Sequence, residues 1–526
     1  MARAPAARRT VRARRRDLRA AWLRGPYRAL PLALPAISLT LIPLGFVLQF
    51  TVDVGPAELY RLLDRPRTSE LLSNTVRLTL ACMTLCAVVG VAAAWALERT
   101  TVPGRRTFTV LLAAPLAVPA FVNSYGWSSM TSSVEGFGGA LLITTLSYYP
   151  LVFLPVAASL RGLDPTIEDS ARALGLGPTA TFRRIVLPQL RPALLGGTLL
   201  VGLHLLAEFG ALQNLRFPTF TTAIYDQYQS TFNGPEASAL ASVLVLACLI
   251  LLVGDLRLRG RVALWRVGSG AARPADRARL GPATVPVLAA LVALVALALV
   301  VPLGSLTRWL LVGASTSFPA GELLSATWSS LVLAFAAAAV TSLLALPVAW
   351  LVTRQRSRLG TVLERTTYVG SALPGIVVAL ALVTITVHHA RPLYQTTTML
   401  IAAYVVLFLP RALVSQRAAL QQVPPLLDDV AGALGAGPFE RMRRVLLPLI
   451  APGVGAGAAL VFLAVVTELT ATLLLSPTGT RTLATAFWSE TGDVDYGAAA
   501  PYAALMVVLS LPATYLLTRE PRSRRP

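Results

Sequence analysis

Residues 169–188 read DSARALGLGPTATFRRIVLP, and residues 429–448 read DVAGALGAGPFERMRRVLLP. The two stretches align at an offset of 260 with no gap. Identical pairs include Ala171/Ala431, Leu174/Leu434, Gly175/Gly435, Gly177/Gly437, Pro178/Pro438, Arg184/Arg444, Leu187/Leu447 and Pro188/Pro448, and the match runs on through Pro192/Pro452 to Glu208/Glu468. Upstream, at an offset of 255, Trp95/Trp350, Arg99/Arg354 and Pro119/Pro374 align more weakly. One module is therefore present twice, and in each copy this polar stretch sits between long apolar runs.

Those runs set the class. The chain has 526 residues, of which 55% are hydrophobic and 13% charged, and its mean hydropathy is +0.65. A soluble protein carries about 25% charged residues. Apolar runs of roughly 20 residues, each long enough to cross a bilayer, recur throughout. A β-barrel instead shows alternating segments of about 10 residues. The chain reads as an all-α polytopic membrane protein with twelve transmembrane helices near 30–50, 76–97, 108–126, 138–160, 193–213, 237–253, 285–304, 328–351, 368–388, 397–410, 453–475 and 500–518. The tenth is interrupted by Pro410 and Arg411. Six spans per module return the chain to its starting side, which predicts two parallel six-helix repeats about a pseudo-two-fold axis along the membrane normal.

Charge fixes the orientation. The net charge is +21, and all 46 basic residues are Arg. With the N-terminus inside, 38 Arg fall on the cytoplasmic side and 7 outside, Arg77 lying at the outer edge of the second span. Such a bias is the signature of membrane topology, and it puts both termini in the cytoplasm of a multi-pass protein in contact with lipid. Because the basic charge is spread over seven membrane-adjacent segments, no nucleic-acid partner is expected. The expected organisation is an Arg-rich arm at 1–29, a first six-span domain at 30–253, a basic linker at 254–284, a second six-span domain at 285–518 and a tail at 519–526. The first apolar run is long for a signal peptide and has no small-residue cleavage site after it, so it is expected to remain as a span. Cys82, Cys86 and Cys248 lie in apolar runs and read as packing residues.

The duplicated loops, 164–192 and 424–452, lie on the cytoplasmic side. In the first, Asp164 is placed to cap a short helix that has Pro165 in its first turn. Asp169 follows near the positive end of the helix dipole. Ala171 and Ala173 keep one surface small, and Gly175 or Gly177 ends the helix. Pro178 starts a second short helix, with Phe182 and Ile185 on one side and Arg183 and Arg184 on the other, and Leu187-Pro188 leads into the fifth span. The second copy has Val423-Pro424-Pro425 where the first has its Asp cap. A short, small-faced helix suits a protein cleft, whereas a helix lying on a membrane needs bulky apolar residues along one face.

The spacing resembles the EAA signature of ABC importer permeases: an acid, two small residues, three others, Gly, nine others, an aliphatic residue, one other, then Leu-Pro. The first copy supplies Asp169, Ser170, Ala171, Gly175, Ile185, Leu187 and Pro188, and the second Asp429, Val430, Ala431, Gly435, Val445, Leu447 and Pro448. Both depart from the pattern with Asp for Glu, and Ser170 and Val430 replace the first small Ala. The resemblance implies the type I importer transmembrane fold, with each loop a coupling helix seated in an ABC ATPase dimer. It assigns ATPase coupling to Asp169, Ala171, Gly175, Leu187, Pro188, Asp429, Ala431, Gly435, Leu447 and Pro448. The chain has no GxxxxGK[ST] phosphate loop, so it is read as a transport subunit that is no enzyme and needs no cofactor, ATP and Mg being bound by a separate partner. The strings PLAVPAFVNSYGW from Pro115, LAEFGALQNLRFPTFTTAIYDQY from Leu206, SALPGIVVALAL from Ser371 and ELTATLLLSPTGTRTLATAFW from Glu468 are similar to the iron(III) branch, in which two permease halves are fused. That likeness implies ferric iron as cargo and an extracytoplasmic solute-binding protein, expected to dock on the outer loops at about 215–236 and 476–499.

Glu208 and Glu468 stand at equivalent positions within spans five and eleven. A carboxylate at the bilayer centre costs about 2.5–3.5 kcal/mol on insertion scales and usually faces a cavity or partner. The pair is a candidate lining of the translocation pathway, the alternative being hydrogen bonding inside the packed bundle. Asn123, Tyr125 and Tyr148 are placed to add oxygen groups near the outer mouth, or to sit in an interfacial belt. No metal site is fixed. His388 and His389 are adjacent and diverge on a helix, which suits an interfacial role better than chelation, and His204 reads as a hydrogen-bonding core residue. Thiamine and organophosphonate remain alternative cargoes. A twelve-span secondary transporter shares the repeat architecture, but the duplicated loops argue against it.

Overall fold

The computed structural model describes residues 30–229, 234–259, 277–354, 363, 366–367, 370 and 373–518. The expected N-terminal arm, C-terminal tail, most of the linker and the start of the ninth span lie outside these residues. The first repeat contains α1 (Leu30–Leu63), α2 (Pro66–Arg99), α3 (Arg105–Ala113), α4 (Ala120–Ser128), α5 (Gly136–Tyr148), α6 (Pro150–Gly162), α7 (Pro165–Ala173), α8 (Pro178–Thr181), α9 (Leu187–Ala207), α10 (Gly210–Asn214), α11 (Phe220–Gln229) and α12 (Gly234–Arg259). The second contains α13 (Thr284–Val295), α14 (Val301–Val312), α15 (Ala320–Arg354), α16 (Gly375–His389), α17 (Thr397–Gln422), α18 (Pro425–Ala433), α19 (Pro438–Arg441), α20 (Leu447–Val466), α21 (Thr470–Leu475), α22 (Leu483–Gly492) and α23 (Tyr496–Thr518).

Among the described residues, nine helices are long and apolar enough to cross a membrane, or ten if a bent pair forms one span. That pair is α3 with its 3-10 extension, followed by α4; it turns by 92° ahead of Pro119, which caps α4. The segment expected as span nine is a shorter apolar helix, Gly375–His389, whereas that expected as span twelve lies in α23, Tyr496–Thr518. At 1.5 Å per residue, a helix of 15 residues reaches about 22 Å, short of a hydrocarbon core about 30 Å thick. The tenth span differs from expectation. Helix α17 runs unbroken from Thr397 to Gln422 with Pro410 inside it, so Arg411 lies within the bundle and not in a cytoplasmic loop. Proline is tolerated there because surrounding groups re-satisfy the carbonyl it frees.

The halves interlock. Helix α1 packs on α15, α16 and α17 of the second repeat, and only lightly on α2, its neighbour in sequence. Reciprocally, α13 and α14 pack on α3 and α4, and α23 also meets α3. Two large apolar clusters result, and each draws side chains from both repeats. Within each repeat a three-helix nucleus recurs: α2, α6 and α9 in the first, α15, α17 and α20 in the second.

Small residues permit the close approaches, as helix packing without a hydrophobic drive requires. A Cβ on Gly197 would lie 2.8 Å from both Leu151 O and Val152 Cα of α6, and its repeat equivalent Gly457 is held close to Ser415 and Ala412 of α17. The seam between halves is equally tight: a Cβ on Gly126 would lie 2.6 Å from Pro302 Cα, and Ser129 and Ser305 share a hydrogen bond of 2.8 Å. Gly197→Val is expected to cost about 1–3 kcal/mol by overpacking against backbone that cannot give way. Thermal unfolding in detergent should show a lowered Tm, with Gly455→Val, which meets nothing within 4 Å, as the neutral control.

Candidate functional site

The two duplicated loops adopt the same backbone course. In the first, the Asp164 carboxylate accepts the Thr166 N–H at 3.0 Å and caps α7. In the second, Pro424 takes the cap position of α18 and contributes no side-chain bond. Both helices end in the same motif. Leu176 N–H donates to Ala171 O and Gly175 N–H to Arg172 O; Ala436 N–H donates to Ala431 O and Gly435 N–H to Gly432 O. This double bond pattern needs a left-handed residue after the C-cap, and Gly175 and Gly435 supply it with φ of 88° and 87°. Of the two glycines expected to end the first helix, Gly175 does so, while Gly177 caps the next helix in extended conformation.

The second short helix is not a separate element. Helix α8 continues through a π turn, Phe182–Val186, into α9, and α19 continues through Met442–Leu446 into α20. The first loop is thereby continuous with a span, and Phe182 packs edge-on against Trp95 of α2 at 4.8 Å.

The surfaces of the loops divide sharply. Ala171 is buried against its own chain at 5% exposure, so this small residue seats α7 on the bundle. Leu174 and Leu434 project outward at 86% and 83% exposure, joined on the second loop by Leu426, Leu427 and Val430. Asp169 is exposed and lies 3.9 Å from Arg172; Asp429, Pro188, Leu447 and Pro448 are exposed, and Leu187, Ala431 half-buried.

Sequence reasoning passed over the charges beneath the first loop. Arg99 at the end of α2 and Glu168 on α7 form an ion pair at 2.7 Å, each side chain about 5% exposed. The pair lacks hydrogen-bond alignment, so the contact is electrostatic. The adjacent Glu98, 3% exposed, pairs with Arg105 at the start of α3 and with Arg161 near the end of α6, the latter at 2.7 Å. Neighbouring Glu-Arg at the end of an apolar run, with Arg and Glu recurring around 161–168, was the available signal.

A second polar group lies inside the bundle, where both repeats break. Helix α9 stops at Ala207 and α20 at Val466, so Glu208 and Glu468 lie at interruptions and not within continuous spans as expected. Glu208 Oε1 accepts the Ala211 N–H at 2.9 Å, and Glu468 Oε1 accepts the Ala471 N–H at 3.0 Å. The Tyr148 hydroxyl donates to Glu208 Oε2, and its ring lies 5.8 Å from that of His204. Arg411 reaches across from the second repeat, its Nη2 3.5 Å from His204 Nε2 and its guanidinium 5.0 Å from the centre of the Phe408 ring. Glu468 feels the charges of both Arg411 and Glu208. All four groups, Glu208, Glu468, His204 and Arg411, keep partial exposure.

The other expected pathway residues are packed. Asn123, 1% exposed, donates from Nδ2 to Ser147 Oγ at 2.8 Å, and its Oδ1 has no partner. Tyr125 is fully buried and donates to Tyr496 O at 2.5 Å, across the seam between repeats. His388 and His389 are exposed, their ring centres 6.4 Å apart. Among the described residues no three His, Cys, Asp or Glu converge as a metal site. Asp495 caps α23 by accepting the Ala498 N–H and also takes the Ser315 hydroxyl at 2.5 Å. Those two bonds hold its carboxyl below the usual carboxylate range.

Replacing Gly175 or Gly435 by Ala forces a β-carbon into the left-handed region, at about 1–2 kcal/mol per residue. Exchange of the Leu176 or Ala436 amide hydrogen should quicken about fivefold or more, read by mass spectrometry; Gly177→Ala should leave both unchanged.

Residues 87–256 and 342–523 each match the family model described as binding-protein-dependent transport system inner membrane component. The chain is 39% identical, over 483 residues, to the Fe(3+)-transport system permease protein FbpB 2 of Haemophilus influenzae, covering 91% of this chain and 95% of that protein. It is 25% identical over 498 residues to the ferric transport system permease protein FbpB of Actinobacillus pleuropneumoniae, covering 87% of this chain and 72% of that one. A sulfate transport system permease protein, CysT of Salmonella typhimurium, is 30% identical over 250 residues, or 43% of this chain and 90% of that one.

Proposed function

The chain belongs to the family of binding-protein-dependent transport system inner membrane components, and on that premise we propose that it is the permease of an ATP-binding-cassette importer moving ferric iron from an extracytoplasmic binding protein into the cytoplasm. The cargo assignment draws on the Fe(3+)-transport relative, which matches nearly end to end. Two six-span domains, 30–253 and 285–518, joined by a cytoplasmic linker and with both termini inside, accord with the repeated loops. Spans three, nine and twelve are then the bent pair, α16 and α23.

The observation that carries the coupling role is the pair of exposed leucines. Leu174 and Leu434 occupy equivalent positions on loops that are otherwise well ordered by caps, and each leaves a large apolar side chain in water. Burying such a side chain is worth about 1.5–3 kcal/mol, so a partner with two matching clefts gains from both. An ABC ATPase dimer is such a partner. ATP binding closes it and draws the loops together; the continuous helices at Pro178–Ala207 and Met442–Val466 carry that motion into the membrane, where Glu208 and Glu468 line the pathway, while the buried Asn123 and Tyr125 brace the packed helices beside it. Carboxylate oxygens suit a hard cation. The chain itself breaks no bond.

A second reading, an anionic cargo such as an organophosphonate, draws on Arg411 beside the two carboxylates. Binding-protein-dependent uptake into proteoliposomes containing the whole complex separates the two. Labelled ferric iron should enter with ATP and fail to enter without it; uptake of phosphonate, sulfate or thiamine in its place would replace the cargo, and full-rate uptake with no nucleotide hydrolysed would sink the importer reading. In the same assay Glu208→Ala and Glu468→Ala should cut uptake while ATPase association persists. Leu174→Asp or Leu434→Asp should weaken that association about tenfold or more, measured by co-purification against added ATPase.

A further inference from the structure

The repeats run almost identically along parts of α6 and α17. Tyr149/Tyr404, Phe153/Phe408, Leu154/Leu409, Pro155/Pro410 and Ala157/Ala412 pair at an offset of 255. Inside that run, Arg411 stands where the first repeat has the buried Val156. A second exception lies just ahead of the helix breaks, where His204 takes the place that Ala464 has in the second repeat. The two exceptions meet: Arg411 Nη2 lies 3.5 Å from His204 Nε2. His204 Nδ1 lies 2.8 Å from Leu200 O. A carbonyl only accepts, so Nδ1 carries the proton and Nε2 is left as the acceptor facing the guanidinium. The Phe408 ring, 5.0 Å from the guanidinium, is a second neutral seat for a cation.

The same side of α17 reaches the break of the second repeat. Tyr404, Phe408 and Arg411 follow at i, i+4 and i+7, which share one helix face. The Tyr404 ring lies stacked 6.3 Å from that of Phe408. Its hydroxyl bonds Thr472 Oγ1 at 2.8 Å, and Thr472 in turn donates to Glu468 O. Glu468 feels the charges of Arg411 and Glu208. On the other side, Tyr148 joins Glu208 to the His204 ring. One guanidinium, one neutral imidazole and two carboxylates thus form a single group, drawn from both repeats.

We infer that Arg411 is a tethered cation that sets a charge threshold for cargo: from its seat on His204 and Phe408 it balances the Glu208 and Glu468 carboxylates, and only an ion of higher charge outcompetes it for them. This rests on reading those carboxylates as lining the pathway. A side chain fixed beside its partners acts at high effective concentration and is never diluted away. A monovalent cation brings the same charge and gains nothing by replacing it. Coulomb attraction scales with charge, so a trivalent ion is drawn about three times as strongly at equal distance. Both seats of the guanidinium are neutral, so it yields to such an ion without breaking an ion pair to either seat. Its charge stays close by, and that keeps the passing ion from being held too tightly to leave.

The test follows Tb3+, a hard trivalent ion whose luminescence is excited through nearby tyrosine, on the full chain in nanodiscs of neutral phosphatidylcholine. The signal counted is the part removed by Glu208→Gln with Glu468→Gln. Arg411→Gln should tighten Tb3+ binding about tenfold. Arg411→Lys keeps the charge and should stay within about threefold of wild type. His204→Ala removes one seat, lets the guanidinium settle on the carboxylates, and should weaken binding about threefold. A packing role alone would loosen the site in Arg411→Gln and weaken Tb3+. Where Arg411→Gln does not insert, Arg411→Met takes its place, with the same tightening expected. Unchanged or weaker binding in the neutral variant, equal tightening by Arg411→Lys, or tighter binding in His204→Ala would overturn the proposal. If neither wild type nor the neutral variant gives any carboxylate-dependent signal, the reading of Glu208 and Glu468 as pathway residues falls instead.

Discussion

Inside hydrocarbon, a backbone N–H or C=O without a partner costs several kcal/mol, so a helix that stops there must bring its own replacements. This chain stops a helix within each repeat and meets the requirement in the same way both times. The carboxylate that follows the break turns back to accept an amide of the next short helix, Ala211 or Ala471. A threonine hydroxyl, from Thr221 or Thr472, donates to the carbonyl of that same glutamate. Each glutamate thus serves as acceptor and is served by a donor, which allows the main chain to leave helical geometry at mid-bundle. Glu208 Oε2 also accepts the Tyr148 hydroxyl, and both glutamates stay partly exposed, so the requirement that forces them to be there also furnishes polar groups inside an apolar bundle.

The repeat, the apolar runs and the glycine-terminated loops were legible in the sequence because each rests on local chemistry. A left-handed turn selects Gly175 and Gly435 whatever surrounds them, and a run of about 20 apolar residues implies a crossing regardless of its neighbours. The interruptions at Glu208 and Glu468 were not legible, since hydropathy registers a carboxylate as a blemish in a span and is blind to the amide it will cap. Arg411 was assigned to a loop for the same reason: Pro410-Arg411 looks like an ending unless the groups that accommodate it, His204 and the Phe408 ring, are already in place. Nor did the sequence indicate which helix packs on which. Lipid tails and leucines are equally apolar, so the runs carry no address for their partners.

The loops illustrate how fitness for contact arises from incompleteness. Gly175 and Gly435 close the two loop helices in the same way, and Ala171 is tucked inward, yet Leu174 and Leu434 stand in solvent. Order in the frame and exposure at the tip belong together, because an apolar tip on a frayed loop would lose to conformational entropy what it gained on docking. Of the two small residues expected to shape the docking face, Ala171 meets the bundle and Ala173 is exposed, and a large residue, Leu174, projects beside it.

The reciprocal seating of α1 and of α13 with α14 bears on how the molecule is made. Translation delivers Leu30–Leu63 to the membrane well before Ala320–Arg354 or Thr397–Gln422 exists. The first helix can meet α12 of its own repeat, but the part of its surface that packs on the second repeat must wait in lipid unoccupied, while α3 and α4 wait for α13 and α14 in the same way. Assembly cannot proceed module by module from the N-terminus; it ends with a late, mutual clasp. Fusing both modules in one polypeptide keeps the waiting surfaces at high effective concentration and commits each to the right counterpart.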